Sequence, residues 1–284
     1  MTDHISPQLD LEHLRGWIGR REEAEDVVTP RLTAGLLAVL DHPETSLAEG
    51  DLAPLAIHWC LAPPIRPTSQ LGLDGHPLRG GMLPPVPLPR RMWAGGALEF
   101  PGRIRVGDRV RRQSVVRDVT LKQGRSGPLC FVTVDHEFFG PDGLVLRERH
   151  DIVYRAAGGA APMATPVAPV ARWQEGAQAS AVQLFRYSAI TFNGHRIHYD
   201  RDYATAVEGY AGLVVHGPLQ ATLLLDFAAR LELTPPQKFT FRGVSPLLDG
   251  PPFTLNAAER ADGGLDLWTA DTGGRLCMTA TATW

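Results

Sequence analysis

Residues 185–204 read FRYSAITFNGHRIHYDRDYA. Asn193, His195, Arg196, His198, Tyr199, Asp200, Arg201 and Asp202 crowd into ten positions of that stretch. Imidazole is the side chain whose ordinary pKa lies nearest neutrality, so a His in such a cluster can take a proton from water and pass it on. His198 is the first candidate for that work. Asp200 and His195 are the candidates for a second proton-handling group, and the amide of Asn193 could orient a water or a carbonyl. The plain structural alternative for either imidazole is a hydrogen bond to nearby backbone. The cluster lies between the apolar residues 189–192 and an apolar helical pattern, which favours chemistry for His198 and leaves His195 evenly balanced. Asp200 reads as an orienting or capping residue more readily than as a reacting one.

A second special sequence follows closely, VVHGP at 214–218. Proline suits the first turn of a helix, where its missing N–H is not needed. Unpaired amides at that end, with the positive end of the helix dipole, suit a developing negative charge such as an enolate oxygen. Gly217 allows a ligand to come close to the backbone there.

The elements that must position these groups come from periodicity. The helix expected over 218–230, PLQATLLLDFAAR, is apolar nearly all round and should be buried. Strand-like runs follow it at 238–244, 253–260, 265–270 and 275–283, separated by the turn sequences DGPP, ADGG and DTGG. The first half shows the same order. Helical patterns at 9–18 and 30–40 precede strand-like runs at 109–121, 129–139 and 144–154. Between them, residues 63–101 are crowded with Pro and Gly and read as a long ordered binding loop. An Ala/Pro-rich stretch at 156–173 reads as a linker, dividing the chain into a domain at 1–155 and another at 174–284. A buried helix wrapped by one antiparallel sheet is the hotdog arrangement, so two halves of this kind predict an α+β double hotdog.

The bulk numbers narrow the partners. Of 284 residues, 44% are hydrophobic and 21% charged, and the formal net charge is −3, which gives no electrostatic reason to expect nucleic acid or an anionic membrane. Three cysteines without close spacing make neither a disulfide framework nor a zinc site, and no metal-ligand spacing appears elsewhere. The polar N-terminal stretch lacks a signal-peptide core and no run reaches membrane-span length, so a cytoplasmic protein acting on a small molecule is expected. The paired glycines at 80–81 and 95–96 fit no dinucleotide fingerprint, and GRSGP is a turn.

The motif segment resembles that of the MaoC-like (R)-specific enoyl-CoA hydratases and dehydratases. Their hydratase motif runs roughly Ser/Thr-Gly-Asp-x-Asn-Pro-x-His-x-Asp. Aligned on His198, this chain places Asp200 at the trailing Asp and Gly217 at the glycine whose amide holds the thioester oxygen. It departs at Asn193, in the position of the family's catalytic Asp, and at Arg196, in place of Pro. FNGHRIHYD, together with DGHP and LPPVPLPRRMWAGG upstream, is similar to a narrower group, the mesaconyl-type (3-methylfumaryl-CoA) and itaconyl-CoA hydratases, near the type 2 hydroxyacyl-thioester dehydratases.

That resemblance implies reversible hydration of a short, branched, carboxylated enoyl-CoA to a citramalyl-CoA, with coenzyme A as part of the substrate and no separate cofactor. A substrate carboxylate in a dry pocket needs a cation, for which Arg90, Arg91 and Arg196 are the candidates. Trp93 and Met92 could line the acyl or pantetheine tunnel, although a buried core is the commoner fate of such residues, and Tyr199 is a further substrate-binding candidate. The first half, lacking the motif, would shape the pocket, and the chain could act alone or as a homodimer. Two other readings stay open: a hotdog acyl-CoA thioesterase, and a non-catalytic acyl-CoA-binding hotdog protein, which the amide at 193 keeps in play.

Overall fold

The structure is a computed structural model that describes residues 9–43, 47–124, 127–156 and 166–284. Half of the expected linker, residues 157–165, lies outside the described residues. Among the described residues ten strands form one antiparallel sheet. They are β1 (Arg21–Val27), β2 (Arg90–Glu99), β3 (Arg109–Gly124), β4 (Gly127–Gly140), β5 (Gly143–Arg155), β6 (Trp173–Gln178), β7 (Lys238–Gly243), β8 (Pro252–Glu259), β9 (Leu265–Asp271) and β10 (Leu276–Thr283). Their order is β1-β3-β4-β5-β2-β7-β10-β9-β8-β6, so the strands before and after the linker each stay together. The two sets meet where β2 pairs with β7, from Gly95 opposite Arg242 to Glu99 opposite Lys238.

That seam explains the 95–96 glycines. A Cβ on Gly95 would stand 2.4 Å from the Phe241 carbonyl oxygen, and one on Gly96 would stand 2.4 Å from that of Arg149. Only glycine lets both neighbouring strands approach so closely. Just before it, the β2–β5 register slips between Trp93 and Gly95, a bulge that re-aims the Trp93 side chain.

Among the described residues four α-helices accompany the sheet: α1 (Leu11–Arg15), α2 (Pro30–Val39), α3 (Ala181–Ile190) and α4 (Gly217–Leu231). The α4 helix packs on β2 and on β7 to β10. It buries Leu219, Ala221, Leu224, Leu225, Phe227 and Ala228 almost completely, as its all-round apolar pattern requires. The α2 helix, capped by the Thr29 hydroxyl, packs against α3, where the Gln183 amide donates to the Val39 carbonyl. One apolar core spans both halves through Leu36, Leu98, Phe138, Leu184, Leu224 and Phe241. A smaller one lies around Leu14, Val86, Val119, Val132 and Tyr154. Among the described residues no helix is long and apolar enough to cross a membrane.

Three strands and one helix depart from the sequence expectation. The long irregular region ends at Pro89, and residues 90–99 form β2 in the middle of the sheet. Two arginines and two glycines hide its alternation. The edge strands β1 and β6 read REEAEDV and WQEGAQ; they are polar because exposed edges are kept from pairing with other chains by charge. Helix α3, capped by the Ser180 hydroxyl, lies where the motif segment opens.

Candidate active site

The motif segment folds into a tight loop between α3 and α4. Thr191 ends α3, Phe192 turns the chain with φ of 52°, and the Asn193 N–H donates to the Ser188 carbonyl. The Asn193 side-chain oxygen then accepts from the His195 N–H at 2.9 Å. That bond leaves the Asn193 amino group as a donor. A single 3-10 turn, Arg196–His198, carries the ring of His198 inward, where it is 6% exposed.

A cavity of about 770 Å³ opens over this loop. From the second half His195, His198, Asn193, Tyr199, Ser188 and Gly217 line it. From the first half it receives Arg91, Trp93, His150 and His76. A volume of this order is that of a small-molecule site, and it lies where the halves join.

The His198 Nδ1 lies 2.7 Å from the Val214 carbonyl oxygen. A carbonyl can only accept, so Nδ1 carries the proton and Nε2 keeps its lone pair. The ring stacks on His216 at 3.7 Å and 18°. His216 is fully buried, its Nε2 bonded to the Ser188 hydroxyl and its Nδ1 without a partner among the described residues. Burial lowers the His198 pKa to about 4, against a smaller opposing effect of the Val214 carbonyl. Burial also lowers His195 and His216. All three are therefore neutral near pH 7, and His198 is in its basic form.

Gly217 opens α4. The preceding His216 gives no side-chain cap, so among the described residues the first-turn amides have no side-chain acceptor. A Cβ at Gly217 would stand 2.9 Å from Trp93 Cε3. Gly217→Ala should therefore push the indole into the cavity. We expect kcat/KM to fall about 10²-fold by misplacement and unfolding free energy to fall by about 1–3 kcal/mol, read from initial rates and urea titration of the same preparation.

The structure separates the arginines that sequence grouped together. Arg90 turns from the cavity and pairs with Glu208 at 3.0 Å. Arg196 binds Asp200 through Nε at 2.9 Å and a terminal nitrogen at 2.7 Å, and its other terminal nitrogen donates to the Leu73 carbonyl. Arg91 alone of the three lines the cavity, and among the described residues no carboxylate lies within ion-pair distance of it. Asp200 is likewise corrected as a proton-handling candidate. It receives both Arg196 bonds, accepts from the Tyr203 N–H at 3.0 Å and does not line the cavity. These places follow from the local turn: at i and i+4, Arg196 and Asp200 meet each other before either can reach inward. Trp93 packs on Phe241 and Trp59, with its indole nitrogen buried and unpaired among the described residues. Tyr199 lies at the rim, its hydroxyl donating to the Gly194 carbonyl.

Sequence reasoning missed His76, Asp74 and His150. DGHP stood out as a motif, but nothing in its spacing tells that 120 residues later another loop meets it. Asp74, His76 and His195 bring donor atoms within 4.8 Å of one another, an association of metal-ligand residue types that linear spacing conceals.

So many buried neutral imidazoles have a stability consequence. Burial holds His58 and His150 at about 3 and His76 and His198 at about 4. Unfolded, each would titrate near 6.5. Below that value the unfolded chain binds protons that the folded chain refuses, so stability falls as pH drops from about 6.5 towards about 4. Buried Glu148, raised to about 7, acts in the opposite sense, losing stabilisation as pH rises from its unfolded value towards 7. Four imidazoles outweigh one carboxyl, so urea midpoints should fall steadily between about pH 6.5 and 4; midpoints that rise on acidification would contradict this balance.

The fold and this site define a double-hotdog protein of the MaoC-like class. A MaoC-like dehydratase from Phytophthora capsici matches at a TM-score of 0.71 with 12% identity, covering 97% of this chain and 99% of that one. A Mycobacterium tuberculosis protein described as having a double hotdog fold matches at a TM-score of 0.56 with 14% identity, over 93% and 95% of the chains. Residues 56–249 match the family Hydroxyacyl-thioester dehydratase type 2, and the chain belongs to that family. It is 44% identical over 272 residues to the Mesaconyl-C(4)-CoA hydratase of Chloroflexus aurantiacus, covering 93% of this chain and 95% of that protein.

Proposed function

We propose that this enzyme reversibly hydrates a short, branched enoyl-CoA bearing a free carboxylate, mesaconyl-CoA or itaconyl-CoA, to a citramalyl-CoA. The observation that carries the reading is a single cavity holding both a neutral His198 with an available Nε2 and an Arg91 guanidinium without a carboxylate partner among the described residues. The likeness to a Mesaconyl-C(4)-CoA hydratase supports the same class of substrate.

In this reading His198 Nε2 takes a proton from water as its oxygen bonds the β-carbon. The electron pair of the double bond moves to the thioester oxygen, and the Gly217 N–H at the head of α4 holds that enolate. The His198 imidazolium then returns the proton to the α-carbon. The Asn193 amino group, a donor by its bond to His195, orients the thioester. Arg91 forks onto the substrate carboxylate.

The test is to offer crotonyl-, mesaconyl- and itaconyl-CoA and follow enoyl-thioester absorbance alongside free thiol. Loss of absorbance without thiol, fastest with a carboxylated substrate, is expected. Thiol release would make the protein a thioesterase, and binding without turnover would make it an acyl-CoA-binding protein.

A further inference from the structure

The motif loop brings no carboxylate to the reacting atoms, since position 193 is an amide and Asp200 is held by Arg196 outside the cavity. Asn193 in addition offers water only a donor. A water attacking the β-carbon donates two hydrogen bonds, so a second acceptor beside His198 would hold its lone pair on target.

The chain supplies an acceptor from the far half. Residues 71–77 close a small hairpin, with Gly72 N–H donating to the His76 carbonyl at 2.7 Å and Gly75 at φ of +86°. Its tip is fastened to the motif loop. The Arg196 N–H donates to the Asp74 carbonyl at 2.9 Å, and the Arg196 side chain reaches the Leu73 carbonyl at 3.0 Å. A Cβ on Gly75 would lie 1.8 Å from the Gly194 carbonyl oxygen, so the two backbones touch where no side chain fits. At this junction His76 Nδ1 lies 2.9 Å from Asp74 Oδ2, while Asp74 Oδ1 accepts from the His76 N–H. An ionised carboxylate only accepts, so Nδ1 carries the proton. The ring lines the cavity with an Nε2 that no described residue bonds. It meets His195 at 4.2 Å between ring centres, and His195 meets His198 at 5.3 Å.

We propose that His76, backed by Asp74, is a catalytic residue that accepts the second hydrogen bond of the attacking water, with Asp74 as its positioning residue. The inference rests on the hydration reading. His198 takes the proton and returns it to the α-carbon; His76 orients the oxygen and, in dehydration, receives the leaving hydroxyl. No proton is gained or lost by His76 over the cycle. A metal held by Asp74, His76 and His195 is the competing use of these groups. Arg91 and Arg79 already place positive charge against His76, and Arg91 against His195, which disfavours a cation there.

The test compares wild type with His76→Ala, His76→Gln and Asp74→Asn on whichever enoyl-CoA the wild type hydrates. His76→Ala should lose about 10²-fold in kcat with KM little changed, and millimolar imidazole should restore part of the rate. His76→Gln, which keeps an acceptor oxygen, should be less impaired. Asp74→Asn should lower kcat without rescue by imidazole. An active wild type with an undiminished His76→Ala overturns this inference alone, as does activity abolished by chelation and restored by zinc. A wild type that hydrates nothing overturns the hydration reading beneath it. Circular dichroism of each variant separates lost folding from lost chemistry, and imidazole rescue requires a folded site.

Discussion

Replacing His198 with alanine should lower kcat/KM for enoyl-CoA hydration by about 10³-fold, within the range that a positioned general base contributes. The expectation is specific because the structure fixes the proton. With Nδ1–H given to the Val214 carbonyl, Nε2 is the only basic atom the ring can present. His198→Gln should be nearly as inactive, since an amide cannot accept a proton. The fold should survive either change, because the ring's loss removes one stacking contact with His216 and one hydrogen bond to the Val214 carbonyl, about 1–3 kcal/mol. The pH profile is a second signature. An ordinary imidazole would lose its basic form below about 6.5, but burial holds this one near 4. Initial rates should therefore stay level from about pH 7 to 5 and fall only in more acidic buffer. Activity within tenfold of wild type in His198→Ala would remove it from the chemistry.

Substituting Arg91 with methionine should raise KM for the carboxylated substrate about 10²-fold and leave crotonyl-CoA within a few-fold, because a charge-assisted pair in a water-poor cavity accounts for a few kcal/mol. Methionine retains most of the apolar stem, so packing against the cavity wall changes little. Arg90→Met is the contrasting variant. Its partner is Glu208, outside the cavity, so any effect should be on stability and equal for both substrates. Equal losses on both substrates in Arg91→Met would instead assign Arg91 to the coenzyme A moiety shared by all of them.

The division between what could be read in advance and what could not follows the range of the interactions. Helix α4 was legible because its side chains are apolar all round, and a helix so composed must be enclosed. Strands β3 to β5 and β7 to β10 were legible because each alternates and is closed by a Gly-rich turn within a few residues. The inner position of His198 was legible for a related reason: a short polar motif between an apolar stretch and a buried helix can only face the interior or be wasted. Strand β2 was not, since its partners β5 and β7 lie about fifty and a hundred and forty residues away and its glycines answer to their backbones, Phe241 and Arg149. The polar edges β1 and β6 carry no core signal because their task is to avoid one.

By itself, then, the order of residues determined the α+β double hotdog, the enclosed α4 with its uncapped head, and the placing of His198, Asn193 and Gly217 beside that head, all through local pattern and near neighbours. Tertiary structure alone decided which of three arginines faces the cavity, that Asp200 answers to Arg196, and that a hairpin from the first half sets Asp74 and His76 against the motif. Those choices depend on backbone contacts between segments about 120 residues apart, such as Gly75 against Gly194, and periodicity records nothing of what a loop will meet once the sheet has closed.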